Sequence, residues 1–306
     1  MIVGRITQIV VALGVLSVAS YALIGLMPGD PIDVAIAGDP RLGPEDAARL
    51  RALHGIDQPL LTRYGAWAMG VLRGEFGYSR LFAVPAAQVL WPALGSTLVL
   101  LGCALVIAAA GGVALGVLAA ARPRHGAWVD AVAVLGQAMP SFWLGILLII
   151  LFAVTLGWLP AGGAPDEGWG LRFLVLPVAT LAIANIAAYA RHTAAAMRAT
   201  LAEPWVRTAR AKGASGPRVL WRHVFPNAAV PVLTIAALDA GALVSGAVVT
   251  ETVFARPGMG KLIYDAIMGN DYNLALLALL LVALVTMLAT LAADLAQRAI
   301  DPRISA

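Results

Sequence analysis

Thr200–Asn227, TLAEPWVRTARAKGASGPRVLWRHVFPN, is a polar island in an apolar chain. It holds Arg207, Arg210, Lys212, Arg218 and Arg222 against one acid, Glu203, and long uncharged runs flank it on both sides. Charge this dense between segments able to span a bilayer places the stretch in water, as a loop joining two spans. The loop also carries helix punctuation. Pro204 suits a first helical position, Glu203 puts negative charge at that N-terminus, cations gather in the last turn, and Gly213 can take the left-handed stop. A helix is therefore predicted from about Pro204 to Lys212, about 13 Å long at 1.5 Å per residue. Ser215, Gly216 and Pro217 open a second short helix that Pro226 closes. Within the first, Trp205 and Ala209 lie four apart on one face and present a flat aromatic beside a small residue, which suits docking into a groove of another protein.

Working outward, the 306 residues are 60% hydrophobic and 12% charged, with a mean hydropathy of +0.85. A soluble domain carries about 25% charge, so the composition describes an integral membrane protein. The single cysteine, Cys103, lies in an apolar run, which excludes an internal disulfide or a thiolate metal cluster. A pI near 9.6 raises nucleic acid as a partner, but the cations are spread over loops between spans, where membrane orientation accounts for them. Arg191 and His192, late in the fourth span, read as snorkelling side chains. No second histidine or carboxylate stands at a ligand spacing, so no metal site is assigned. No G-x-x-x-x-G-K-[ST] phosphate loop is present, so ATP binding by that device, and a catalytic role with it, is not expected.

Uncharged stretches of about 18 residues or more locate the spans. They are Ile6–Gly29; a region from Leu81 to Ala121 whose span, after Pro85 and Pro92, covers about Gly95–Ala121; one within 131–165 ending near Trp158; Phe173–Ala190, continuing as helix toward Thr200; Val224–Thr250, interrupted only by Asp239; and Tyr272–Ala293. The expected fold is an all-α polytopic membrane protein with six transmembrane helices. About 20 apolar residues exceed a signal-peptide core of 7 to 15, so residues 1–29 read as an uncleaved anchor. Residues 30–92 read as a helical cap outside the membrane, with one helix from Pro44-Glu45-Asp46 to Gly55 and a second from Pro59 through Tyr64, Trp67 and Leu72 to Gly74. Residues 93–306 hold the other five spans. In the short loops and termini, eleven Lys and Arg lie on the side of the polar island against three, Arg172, Arg256 and Lys261, on the other. That asymmetry places both termini and the island in the cytoplasm.

Gly111, Gly112 and Gly116 in the second span, and Gly241, Ser245 and Gly246 in the fifth, allow close helix approach. Pro140 breaks the third span and Pro177 opens the fourth, either as ordinary packing or to line a pathway. Asp239 sits mid-span, where an acid costs about 2.5 to 3.5 kcal/mol, so it faces protein or water. A structural hydrogen bond and a place on a translocation path are both open to it.

The run Trp205-Val206-Arg207-Thr208-Ala209-Arg210-Ala211-Lys212-Gly213 closely resembles the cytoplasmic coupling loop of ABC importer permeases, specifically the dipeptide, oligopeptide and nickel family. Other motifs agree along nearly the whole chain: Met27-Pro28-Gly29-Asp30-Pro31 after the first span, HGIDQPLLTRYGAWAMGVLRGEFGYS at 54–79, LDAGALVSGAVVTETVFARPGMG at 238–260, Asp271-Tyr272, and Asp301-Pro302-Arg303. The resemblance implies that residues 93–306 are a permease core in the bacterial plasma membrane, with the coupling loop at 200–227. It implies an ATPase-coupling role for Glu203, Trp205, Arg207, Thr208, Ala209, Arg210, Ala211, Lys212 and Gly213. Asp239, Ser245, Glu251 and Phe254 become candidates for the pathway or gate, although many relatives carry glutamine near Asp239. Glu251 could anchor an outer gate, meet polar substrate, or form a fixed salt bridge.

The implied partners are a second homologous permease completing a heterodimer, two ABC ATPase subunits, an extracytoplasmic substrate-binding protein and membrane lipid. No cofactor is expected on this chain; ATP and Mg would belong to the ATPase partners. The implied cargo is di- or oligopeptide. The near alternatives are nickel, metal chelates or glutathione through the same architecture, and the distant one is an ion-coupled secondary transporter with Asp239 as its coupling carboxylate.

Overall fold

The computed structural model describes residues 2–25, 58–122, 131, 135–136, 138–165 and 170–300, without the side chains of 2, 24–25, 230–231, 233–234, 236–245 and 299–300. The Met27–Pro31 motif, the expected helix at 44–55, and Asp301-Pro302-Arg303 lie outside the described residues, as do the side chains of Asp239 and Ser245.

The described chain is almost wholly helical, because uninterrupted apolar runs can satisfy their backbone only internally when water is absent. In order it forms α1 (Ile2–Gly25), α2 (Leu60–Leu72), a pair of two-residue strands, α3 (Ala86–Ala121), α4 (Ser141–Leu148), α5 (Leu171–Leu201), α6 (Pro204–Ala211), α7 (Phe225–Val253), α8 (Met259–Met268) and α9 (Tyr272–Ile300). Stretches within α1, α3, α5 and α9 are long and apolar enough to cross a membrane. The segment Ser141–Thr155 is a shorter apolar helix. The 29 residues of α7 reach about 43 Å at 1.5 Å per residue.

Several boundaries differ from the sequence expectation for identifiable reasons. α3 starts at Ala86 rather than near Gly95, because Pro92 falls inside its first two turns, where one missing backbone bond does not end a helix. Pro177 likewise lies inside α5 rather than at its start. Pro140 does open α4. That helix then widens into a π-helical stretch, Ile149–Thr155, in which the hydroxyl of Thr155 donates to Ile150 O at 2.8 Å. Pro226 does not close a separate helix. Ser215 does cap a short α-helix, Gly216–Arg218, as expected, but this runs into a π-helical segment, Val219–Val224, and on into α7, whose second residue is Pro226. The strand pair and α8 had no counterpart in the sequence reading.

Two compact units emerge. The first comprises residues 1–93 and 262–284. Here α1 and α2 meet through the rings of Tyr21, Tyr64 and Trp67, with the Tyr21 centroid 5.5 Å from Tyr64 and 5.6 Å from Trp67. The Ser17 and Tyr64 hydroxyls lie 2.8 Å apart. The strands Tyr78–Ser79 and Val84–Pro85 pair antiparallel, Tyr78 opposite Pro85 and Ser79 opposite Val84.

The second unit comprises residues 94–261 and 285–306. Its core joins α3, α5 and α7. Leu100 and Ala104 of α3 pack on Leu174, Val178 and Leu181 of α5, and Ala108 packs with Ala182 and Tyr189. The two helices come close at the glycines. A Cβ on Gly112 would lie 3.0 Å from Ile186 O and overlap the Tyr189 side chain; one on Gly116 would lie 2.7 Å from Ala190 O and overlap Thr193. Small residues thus set the interhelical distance, as the sequence suggested.

Candidate functional site

The polar island folds as an eight-residue helix, α6, between two defined ends. Glu203 occupies the N-cap with extended backbone, φ −64° and ψ 143°, and its carbonyl accepts the Val206 N–H at 3.1 Å. Its carboxylate makes no capping hydrogen bond, so its contribution at that end is charge. At the other end Gly213 is left-handed, φ +84°. Its N–H donates to Arg210 O at 2.9 Å and the Ala214 N–H donates to Ala209 O at 3.1 Å. These two bonds form a Schellman motif, which satisfies carbonyls a helix terminus would leave bare.

One residue seats the helix. Val206 has no solvent exposure and packs among Val117 of α3, Met197 of α5, Val219 and Val224 of the π-helical segment, and Ala228 of α7. Burying a valine side chain contributes roughly 1.5 to 3 kcal/mol. An isolated helix of this length is not stable in water, so α6 owes its order to this seat and its caps. Around it Trp205, Arg207, Thr208, Arg210, Ala211, Lys212 and Gly213 are exposed, and Ala209 is half-buried. The result is a basic, aromatic-bearing surface whose far side is locked to three long helices. Such a surface can dock another protein and pass a displacement inward.

A second constellation lies at the other end of α7. Glu251 has no solvent exposure. Its Oε1 accepts the Thr97 hydroxyl at 2.5 Å, and its Oε2 accepts the N–H of Gly260 at 2.7 Å and of Lys261 at 3.3 Å. Thr97 Oγ1 in turn accepts the Met259 N–H at 2.8 Å. The backbone closes the same turn, with Arg256 N–H donating to Glu251 O at 2.8 Å. A Cβ on Gly260 would stand 3.0 Å from Glu251 Oε2 and 2.9 Å from Val248 Cγ2, so only glycine admits this approach. Phe254 is buried beside it, and its carbonyl accepts the Gly163 N–H at 2.7 Å. The carboxylate of Glu251 is thus engaged by a hydroxyl and two backbone N–H groups of its own chain. Thr97 escaped the sequence reading; its only signal was one of two adjacent hydroxyls, Ser96-Thr97, in an apolar run.

The first unit has a comparable knot around Asp271, which precedes α9. Its Oδ1 accepts the Leu274 N–H at 3.2 Å, and its Oδ2 accepts the Ser79 hydroxyl at 2.6 Å and the Leu81 N–H at 3.1 Å. Asn273 donates from Nδ2 to Phe76 O at 2.9 Å and accepts the Trp67 indole N–H at 3.0 Å. The start of α9 is thereby tied to the strand pair and to α2. Asn273 was missed because a single amide in a helix start carries no sequence signal for so distant a partner.

Asp239 and Ser245 lie on α7, but their side chains are outside the described residues, so no partner is assigned to either. Arg191 and His192 are exposed on α5. Among the described residues no group of three or more His, Cys, Asp or Glu could hold a metal ion.

This arrangement has known counterparts. A family model described as "binding-protein-dependent transport system inner membrane component" matches residues 112–306. A probable peptide ABC transporter permease protein of Sinorhizobium fredii is 36% identical over 311 residues, covering 99% of this chain and 98% of its own. The di/tripeptide transport system permease protein DppB of Pseudomonas aeruginosa is 37% identical, covering 93% of this chain and 92% of its own. Among solved structures, an inward-facing MetNI methionine ABC transporter matches with a TM-score of 0.60 at 20% identity, over 71% of this chain and 98% of the matched chain, a likeness of fold.

Proposed function

Because the chain belongs to the family of inner-membrane components of binding-protein-dependent transport systems, it is a permease subunit of an ABC importer, and we propose that it forms half of a pathway for di- and oligopeptides. It is an integral protein of the bacterial inner membrane and works with other components of such a system. The peptide reading rests on relatives that are named for peptides and align over nearly their whole length. In this reading a second homologous permease completes the pore, two ATPase subunits supply ATP and Mg, and an extracytoplasmic binding protein delivers cargo. Both termini and α6 face the cytoplasm, residues 1–29 anchor the chain, residues 30–92 form the outer cap, and residues 93–306 carry the remaining five of six spans.

The observation that carries the coupling role is the asymmetry of α6. Val206 is wholly buried against α3, α5 and α7 while the Trp205 side is open. Glu203, Trp205, Arg207, Thr208, Ala209, Arg210, Ala211, Lys212 and Gly213 then form the contact with an ATPase subunit. Closure of the ATPases pushes α6, and the buried seat passes the push to the spans. Asp239 and Ser245 we assign to the wall of the pathway. Glu251 and Phe254 we assign to the frame of the outer gate, where the engaged carboxylate suits a fixed joint better than a cargo contact.

The test is Ala209→Trp in the complete transporter reconstituted in proteoliposomes. The half-buried alanine leaves no room for an indole against a docked partner, so peptide import falls sharply while membrane insertion persists. Normal import by this variant would overturn the coupling assignment. Uptake of labelled dipeptide against uptake of a nickel chelate by the same proteoliposomes tests the cargo.

A further inference from the structure

The connection between α6 and α7 is α-helical only over Gly216–Arg218. Over Val219–Val224 the chain makes a π turn, and the Phe225 N–H bonds Leu220 O, five residues back. The sequence supplies a reason. Pro226 has no N–H, so an α ladder running through this point would leave Arg222 O without its donor. The ring of Pro226 would also crowd that carbonyl in an α turn, and the wider π turn relieves the crowding, a geometry found mostly as single turns and often at functional sites. At its junction with α7 the Asn227 side chain donates from Nδ2 to His223 O at 2.8 Å.

Packing makes the location matter. Val219 and Val224, the first and last residues of the π turn, are both buried in the cluster that seats Val206. The inner face of α6 therefore rests on the two ends of the turn. On the outer face the rings of Trp221 and Phe225 lie 5.3 Å apart across the junction. The π turn, together with Ala228 at the start of α7, shares the buried cluster on which α6 sits.

We propose that Pro226 and Asn227 are positioning residues for transport, holding a π turn at 219–224 through which displacement of α6 becomes rotation of α7 about its own axis. The inference rests on the coupling role of α6 given above. Full conversion of one π turn to α register would turn α7 by about 100° and shift it by about 1.5 Å, and a fraction of that suffices to reorient a pathway wall. Pro226 opposes the collapse because its ring would press on the Arg222 carbonyl in an α turn. Asn227 supplies a side-chain donor at the carbonyl of the junction.

The experiment uses the whole transporter with its binding protein, reconstituted in lipid nanodiscs for distances and in proteoliposomes for import. Pro226→Ala/Asn227→Leu restores the N–H and removes the side-chain donor. Asn227→Leu alone removes the donor, and Asn227→Thr returns one, since threonines elsewhere in the chain, such as Thr200 and Thr180, bond the carbonyl four residues back at 2.9 Å. Dipeptide imported per ATP hydrolysed is expected to fall at least about fivefold in the double variant, the lower end of ordinary site-to-site coupling, and to recover in Asn227→Thr relative to Asn227→Leu. Spin labels at Ser215 and Val249, both exposed, are expected to report a distance change between nucleotide-free and vanadate-trapped states in the otherwise unaltered protein and to lose it in the double variant. An unaltered import ratio and an unaltered distance change in the double variant overturn the inference, and the coupling role stands if Ala209→Trp still abolishes import. Normal import by Ala209→Trp removes both.

Discussion

Thr97→Val isolates the hydrogen bonding of the Glu251 knot, because valine keeps the shape of threonine and lacks only its oxygen. Two buried interactions disappear: the hydroxyl donation to Glu251 Oε1 and the acceptance of the Met259 N–H. A hydrogen bond to a charged acceptor contributes about 1.5 to 3 kcal/mol, and a buried N–H left without a partner costs about 1 to 3 kcal/mol. Glu251 keeps the N–H groups of Gly260 and Lys261, and the turn can relax. The lower end of the sum, about 2.5 kcal/mol, is therefore the expected destabilisation. At about 2 to 4 °C per kcal/mol for chains of 150–250 residues, the unfolding midpoint of the detergent-purified protein should drop by about 5 °C or more. Thr97→Ser keeps the oxygen and should lose less than about 1.5 kcal/mol, as small core truncations do. Together the two substitutions separate the oxygen of Thr97 from its methyl group. If Thr97→Val melts with the unaltered protein and Thr97→Ser does not exceed it, the oxygen is not what holds this turn. A double-mutant cycle with Glu251→Gln should then be additive, whereas an intact network predicts a coupling of about 0.5 to 3 kcal/mol.

Two further substitutions probe the packing of each unit. Gly116→Val forces a side chain into Thr193 and Ala190, so α3 and α5 must part at a cost of about 1 to 3 kcal/mol, read as a lowered melting midpoint; Gly102→Ala, where a Cβ meets nothing within 4 Å, should leave the midpoint unchanged or raise it, alanine being the better helix former. Asp271→Ala removes the acceptor for Ser79, Leu81 and Leu274. Losing a helix cap of this kind costs about 1 kcal/mol, and cleavage by added protease within residues 74–85 should quicken in proportion.

Much of this fold was legible because the bilayer simplifies the code. Absence of charge located the helices, and the cations, Pro204 and Gly213 of the island marked both ends of α6 to within one residue. Close approach at Gly112 and Gly116 was legible as well. Prolines misled the reading where their position within a helix decides their effect. Pro92, Pro177 and Pro226 all lie inside helices, since a lost bond near a helix start is tolerated or absorbed by a wider turn. The knots around Glu251 and Asp271 were half legible. The carboxylates drew attention, but the donors, Thr97 and Ser79, are 154 and 192 residues away in sequence, and a single hydroxyl in a helix or turn does not announce a distant acceptor.

The same economy that makes α6 readable constrains what it can do. Eight residues with a basic surface hold their shape only through two caps and one buried valine, so the helix has no stability of its own to spare. Whatever presses on its outer face is transmitted at Val206, because nothing else on it is fully buried. Val206 shares its buried cluster with Val117 of α3, Met197 of α5, Val219 and Val224 of the π-helical segment and Ala228 of α7. α3 and α5 are locked together by overlap-tight glycine contacts and resist relative motion. α7 is joined to the seat through the π turn and through Ala228, with no such glycine contact there among the described residues. A push on α6 is therefore expected to appear first in α7, the helix that carries Asp239 and Ser245 and ends in the Glu251 knot.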